Sequence, residues 1–302
     1  MVNNPLVAFQ EAMRAAGVFL AADAHITPDG QLHRARAADD KAGALSIWYN
    51  FHPDAPASGA AGNWRTGAKL TWCGKRLQSL SNAERETLRH RIEEDKRRAQ
   101  EATEARHRDA AAKAVRIWKD SAPANPNHPY LLKKQIAPGI ARMSRGALVL
   151  PVVDFSGALH GLQFVAEDGG KRFISGMAKQ GHFIPSGGHP DGTRPLYIAE
   201  GHATACTLSA LQPGVVVIAA CDAGNLLSVA TAARKRWSGI DLVICPDFDA
   251  IGHQKGQEAA EKARARILPC DKLPADMPKS CTDWNDWSAW RQSQRQGVQH
   301  GA

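Results

Sequence analysis

Cysteine is sparse and dispersed in this chain: Cys73, Cys206, Cys221, Cys245, Cys270 and Cys281 form no C-x-x-C pair and have no histidine at zinc-ligand spacing. They read as buried free thiols. No stretch approaches the roughly 18 to 20 apolar residues needed to cross a bilayer, and residues 1–9 lack the basic-then-apolar layout of a signal peptide. No membrane partner is expected, and the cytoplasm is the expected location. A G-x-x-x-x-G-K-[ST] loop is absent, so no helicase motor is expected within the chain. There is no internal repeat. Against these absences stand 302 residues, 43% hydrophobic and 23% charged, the usage of an ordinary globular α/β protein. An excess of 38 Lys+Arg over 30 Asp+Glu favours polyphosphate partners without saying which.

The chain divides by pattern. Residues 1–80 combine a short amphipathic helix (PLVAFQEAMRAAGVFLAA, 5–22) with β-type runs such as LSIWYNF (45–51) and AKLTWC (68–73), punctuated by Pro53, Gly59, Gly62 and Gly67. Ser81 with Glu84 makes a capping box for a long helix over 83–119 with few large apolar residues, giving a connecting segment at 81–122. Its acids nearly balance its bases, so it reads as a solvated face. SAPANPNHP (121–129) is a linker. Residues 123–192 then read as a β-rich unit built on ALVLPVVD, ALHGLQFV and KRFIS. From 193 to 290, strands alternate with helices: PLYIA, a helix from His202, VVVIA, a helix from Asn225, DLVIC, a helix over 254–267, and a short strand near 268–273. That alternation predicts a parallel sheet with flanking helices. Residues 291–302 read as a flexible tail.

In such a sheet, ligands gather beyond the carboxyl ends of the strands, and three of those ends are acidic. PLYIA runs into Glu200, VVVIAA into Asp222 of CDAGN, and DLVIC through Pro246 into Asp247-x-Asp249. Alternate residues of an extended segment face one way, so Asp247 and Asp249 can present two carboxylates where a neighbouring strand adds Glu200. Clustered carboxylates repel unless a cation compensates, and a hard oxygen site suits Mg²⁺ or Mn²⁺. The chemistry implied is metal-dependent phosphoryl transfer. Asp222 and Asn225, by contrast, read as helix N-caps. His128, His182 and His202 have no partners at ligand spacing, so surface or loop roles suffice for them.

The order AEG, DAGN, D-x-D, each after a β-type run, resembles the TOPRIM domain shared by bacterial primases, type IA and II topoisomerases and several nucleases. The resemblance makes Glu200 the acid/base and Asp247 and Asp249 the magnesium holders, with Glu200 also available to metal. It narrows upstream, where NHPYLLKKQI (127–136), LVLPVVDFSGALHGLQFV (148–165) and GGKRFISG (169–176) look like the polymerase core of bacterial-type primases, especially those of plasmids, integrative elements and phages. It implies that Lys171 and Arg172, and Lys179 more weakly, meet primer-template and nucleotide. CTDWNDW (281–287) lies where related primases often carry an acidic motif. Asp283 reads there as a helix cap, and Asp286 as an auxiliary metal residue.

Two departures stand out. Replicative primases carry a further aspartate on the helix after the glutamate, where this chain has Thr204; and the module corresponding to their zinc ribbon has only Cys73 among cysteines. A metal-free relative of that module is expected, reading template through Arg65, Lys69, Trp48, Trp64 and Trp72, with the equal alternative that the tryptophans form a small β core. The function expected is a DNA primase, a nucleotidyltransferase that uses single-stranded DNA template, nucleoside triphosphates and Mg²⁺ or Mn²⁺, with a replicative helicase in trans. The competing readings are a TOPRIM nuclease and a non-catalytic nucleic-acid-binding module.

Overall fold

Asn4 opens the first described element by accepting the Leu6 N–H at 3.0 Å, and Pro5 takes the first helical position, where a missing N–H costs nothing. The computed structural model describes residues 4–269 and 273–299 and forms two compact units, Met1–Glu104 and Ala105–Ala302. Their boundary falls inside a single 39-residue helix.

In the first unit, helix α1 (Pro5–Ala15) is followed by an antiparallel sheet of β1 (His33–Ala35), β2 (Ile47–His52), β3 (Ser58–Asn63) and β4 (Lys69–Cys73), ordered as in the chain. Strand β2 alternates strictly: Ile47, Tyr49 and Phe51 are buried against Phe9 and Met13 of α1, while Trp48, Asn50 and His52 face the other way. Trp72 joins the core, its ring 5.6 Å from Phe9 and 6.0 Å from Phe51. Helix α2 (Asn82–Asp120) starts at the expected capping box, with Ser81 N–H donating to Glu84 at 2.9 Å and Glu84 N–H to Ser81 Oγ at 3.3 Å.

In the second unit, Ala110 and Ala114 of α2 are buried with Val149, Leu162 and Ile174. The β-rich segment is a five-stranded antiparallel sheet in chain order: β5 (Ala122–Pro123), β6 (Arg142–Ser144), β7 (Ala147–Val153), β8 (Leu159–Val165) and β9 (Lys171–Phe173). Between β5 and β6 sits α3 (Pro129–Lys134), capped by His128, whose Nδ1 accepts the Tyr130 N–H at 3.3 Å.

The remainder is a parallel sheet in the order β11 (Val216–Ala219), β10 (Leu196–Ala199), β12 (Leu242–Cys245), β13 (Arg266–Ile267). Strands β11 and β12 are buried throughout, as expected of strands covered on both faces. On one side, α4 (His202–Leu211) and Trp284 of α7 (Trp284–Gln299) share a core with Leu148, Leu150 and Val152 of β7. On the other side, α5 (Leu226–Arg236) and α6 (Ala250–Ala263) pack on Ile198, Ile218 and Ile244.

Helix α6 starts four residues before its expected position because Asp249 caps it, Oδ1 accepting the Gly252 N–H at 2.6 Å. It ends at Arg264, in the left-handed conformation at φ 50°, which frees Arg266–Ile267 to add a strand. The expected strand near 268–273 lies partly outside the described residues. Among the described residues Cys73, Cys206, Cys221 and Cys281 are free thiols, Cys245 and Cys281 are buried and the others half-buried, and no helix is long and apolar enough to cross a membrane.

Candidate active site

Chain connections leave β10 and β12 in opposite directions, β10 toward β11 and β12 toward β13, so a crevice opens between the carboxyl ends of these adjacent strands. Glu200 follows β10 and Asp247 follows β12. The two meet directly: the Asp247 N–H donates to Glu200 Oε1 at 3.0 Å. A side chain at Gly252 would place its Cβ 2.7 Å from Glu200 Oε1 and 2.8 Å from the Asp247 carbonyl, so only glycine lets the first turn of α6 approach these acids. Asp249 both caps α6 and adds its charge to the group. Sequence reasoning passed over Gly252, whose role depends on a contact between two strands and a helix.

The electrostatics are those of a site short of positive charge. Burial, and then Glu200 and Asp283, push the Asp247 carboxyl up to about 8. Glu200, only 8% exposed, is also raised, first by burial and then by Asp249, Asp222 and Asp283, against the hydrogen bond from Asp247. Asp247 Oδ1 is buried with no hydrogen-bond partner. A buried carboxyl oxygen without a partner, set among acids, fits a divalent cation, and the hard oxygen donors suit Mg²⁺ or Mn²⁺.

A pH dependence follows for the metal-free protein. The folded chain keeps the Asp247 proton up to about pH 8, whereas the unfolded chain releases it near the ordinary value of 3.8. The folded state therefore binds more protons across that window, and raising the pH favours unfolding. In EDTA, Asp247→Asn is expected to gain thermal stability relative to wild type progressively from about pH 4 to about pH 8. Parallel melting-temperature curves for the two proteins would contradict this.

Lys171 sits beside the acids. Its Nζ lies 3.8 Å from the place a Gly201 Cβ would occupy, and its charge pulls against the rise at Asp247. Arg172, the next residue on β9, faces the opposite side, its guanidinium 5.3 Å from the Phe164 ring centre. Lys179 is paired with Asp222. Neither expected cap forms: the Asp222 and Asn225 side chains make no cap hydrogen bond. Asn225 instead turns inward, 3% exposed, with Nδ2 2.8 Å from the Ala220 carbonyl, 2.9 Å from that of His182 and 3.0 Å from that of Lys179, and its Oδ1 accepts the Gly181 N–H at 2.9 Å.

The C-terminal acidic segment is tied to this group by the Phe248 N–H, which donates to the Thr282 carbonyl at 2.8 Å. Asp283 Oδ1 accepts the N–H groups of Asn285 and Asp286 at 2.7 and 2.9 Å, the geometry of a helix cap. Asp286 is engaged by Lys134 at 2.8 Å and by the Thr282 N–H and hydroxyl at 3.2 and 3.1 Å. His202 is fully buried rather than on the surface, 2.8 Å from Ser186 Oγ, and burial and Lys171 push it down to about 4, so it is neutral.

In the first unit, Trp64 is 65% exposed, with Arg34 5.4 Å and the Trp48 ring 6.0 Å from its own. Arg34, Trp48, Gly62 and Lys69 lie opposite one another across β1 to β4 on the outward face. Arg65 is paired with Asp39, and Trp72 belongs to the core.

Residues 195–293 match the family model described as "Toprim domain". This part of the chain is similar to the Toprim family. Beyond it, 286 residues are 34% identical to a DNA primase TraC of Escherichia coli, covering 87% of this chain and 19% of that protein. A second DNA primase TraC of Escherichia coli is 31% identical over 275 residues, covering 86% of this chain and 26% of the relative. The chain thus spans about a fifth to a quarter of the curated relatives it matches. Among solved structures, the primase fragment of the bacteriophage T7 primase-helicase protein is 16% identical with a TM-score of 0.41, covering 58% of this chain and 77% of that one. That likeness is too slight to define the fold.

Proposed function

We propose that this chain catalyses primer synthesis, joining nucleoside triphosphates on a single-stranded DNA template at the crevice between β10 and β12. The observation that carries the reading is the acidic group of the Toprim domain, with Asp247 Oδ1 buried and unpartnered beside Glu200. The resemblance to two proteins named DNA primase TraC supports the choice of reaction. In that reaction a 3′-hydroxyl attacks the α-phosphorus of an incoming triphosphate, forming one phosphodiester and releasing pyrophosphate.

Asp247 and Asp249, with Glu200, would hold Mg²⁺ or Mn²⁺, which when bound lowers the pKa of the attacking hydroxyl and neutralises phosphate charge. Glu200, raised toward neutrality by burial and by its neighbours, is suited to take and return the proton of the attacking hydroxyl. Lys171 places a positive charge at the edge of the acids, where a triphosphate would enter. Arg172 and Lys179 would serve the nucleic acid further out, and Asp286 positions Lys134 rather than reaching metal directly. The outward row of Arg34, Trp48 and Lys69, with Trp64 and Arg65, would hold template by stacking and phosphate contact. A replicative helicase would act in trans.

The deciding experiment incubates the chain with single-stranded DNA, labelled nucleotides and Mg²⁺ or Mn²⁺. Short labelled oligomers are expected from wild type and none from Asp247→Asn. Metal-dependent shortening of the template without incorporation would make the chain a nuclease.

A further inference from the structure

Far from the Toprim acids in sequence, the turn between β7 and β8 contains Asp154, and its Oδ1 is fully engaged. It accepts the Ser156 N–H at 2.8 Å, the Ser156 hydroxyl at 2.6 Å and the Ala158 N–H at 3.1 Å. The other oxygen, Oδ2, is left facing His160 Nε2 at 2.9 Å. The His182 ring lies over His160 with centroids 4.0 Å apart, and its Nδ1 is buried without a hydrogen-bond partner. Each of the three half-buried residues offers one ligand atom, and those atoms all lie within 4.8 Å of one another; among the described residues no other group of His, Cys, Asp and Glu does this.

We propose that Asp154, His160 and His182 form a zinc site distinct from the magnesium-type carboxylates of the Toprim crevice. Two imidazoles and one carboxylate are a common donor set for Zn²⁺, leaving a fourth position for water, and nitrogen donors disfavour Mg²⁺. A bound ion would give a partner to His182 Nδ1, which is buried and makes no hydrogen bond of good geometry. The Asp154 carboxylate arrives oriented, since three donors fix its far oxygen in the way outer-shell contacts orient metal ligands.

The fold gives the ion a task. His182 closes the segment that carries Lys179, and the carbonyls of both residues accept from Asn225. Phe183 next to it pairs with Val153 beside Asp154. An ion shared by the β7–β8 turn and His182 would therefore pin the Lys179 segment to the antiparallel sheet.

The test uses the full chain, stripped with EDTA and titrated with Zn²⁺ against a chromophoric chelator. One tightly held ion per chain is expected, with a rise in melting temperature. His160→Gln and Asp154→Asn, the latter keeping the acceptor that organises the turn, should each weaken zinc by about a hundredfold and lose the thermal shift. Glu200→Gln should hold zinc as wild type does, so the outcome is independent of whether the primase reading stands. Equal zinc affinity in wild type, His160→Gln and Asp154→Asn would overturn the site, as would loss of zinc in Glu200→Gln alone.

Discussion

Asp247→Asn is expected to reduce primer synthesis by about a thousandfold or more, the scale on which removing one charge-stabilising group acts in an electrostatically organised site. The substitution is nearly isosteric. The backbone N–H that Asp247 donates to Glu200 Oε1 survives, and so does the close approach of Gly252, so the crevice keeps its shape. What is lost is the charge on the one carboxylate of the group with an orphaned buried oxygen. The same change removes the cost of keeping this carboxyl protonated, a cost set by its burial and then by Glu200 and Asp283, so the metal-free variant should melt above wild type at neutral pH even as it loses activity. Binding of a fluorescent single strand, followed by anisotropy, should change less than twofold if template is held chiefly by residues outside the crevice. Near-normal synthesis by Asp247→Asn would remove the acidic group from the reaction.

The acids were legible in the sequence because each ends an apolar run that could only be a buried strand, and parallel strands put such ends together. Glu200, Asp247 and Asp249 needed no side-chain geometry beyond that. Lys171 and Arg172 show where legibility stops: the motif KRF offers two basic residues, but strand alternation sends only one to the acids, and which one depends on the face that β9 presents. The tryptophans divide likewise, with Trp72 in the core of the first unit and Trp48 and Trp64 on its outer face, by parity along β2 and β4 and by position in the turn after β3. His182 was read as partnerless because its neighbours, Asp154 and His160, are more than twenty residues away and reach it through the pairing of Phe183 with Val153. Long-range pairing of that kind has no periodicity to betray it. Asp286 looked like a metal residue from its place in an acidic motif, whereas Lys134, on a helix about 150 residues earlier, is what meets it.

Asn225→Ala is expected to cost the second unit about 3 kcal/mol or more, and Asn225→Asp more still. Read from sequence, Asn225 at the start of a helix is a cap, and a cap tolerates aspartate as well as asparagine. The structure assigns it different work. Its amide nitrogen lies within hydrogen-bonding distance of three carbonyls and its oxygen takes the Gly181 N–H, all at a site 3% exposed. Alanine would leave several of these backbone groups buried and unpaired, at about 1 to 3 kcal/mol each. For a unit of about 200 residues, a loss of that size lowers the melting temperature by roughly 10 °C. Aspartate would keep the acceptor for Gly181 but aim a negative oxygen at the carbonyls of Ala220, His182 and Lys179, turning attraction into repulsion within a buried space. The order of melting temperatures, Asn above Ala above Asp, is thus the signature of a donor hub, while near equality of Asn and Asp would return the residue to the role of a cap. Because the same amide holds the Lys179 carbonyl, the alanine variant should also loosen the Lys179–Asp222 pair, and faster amide hydrogen exchange across residues 179–183 would report it.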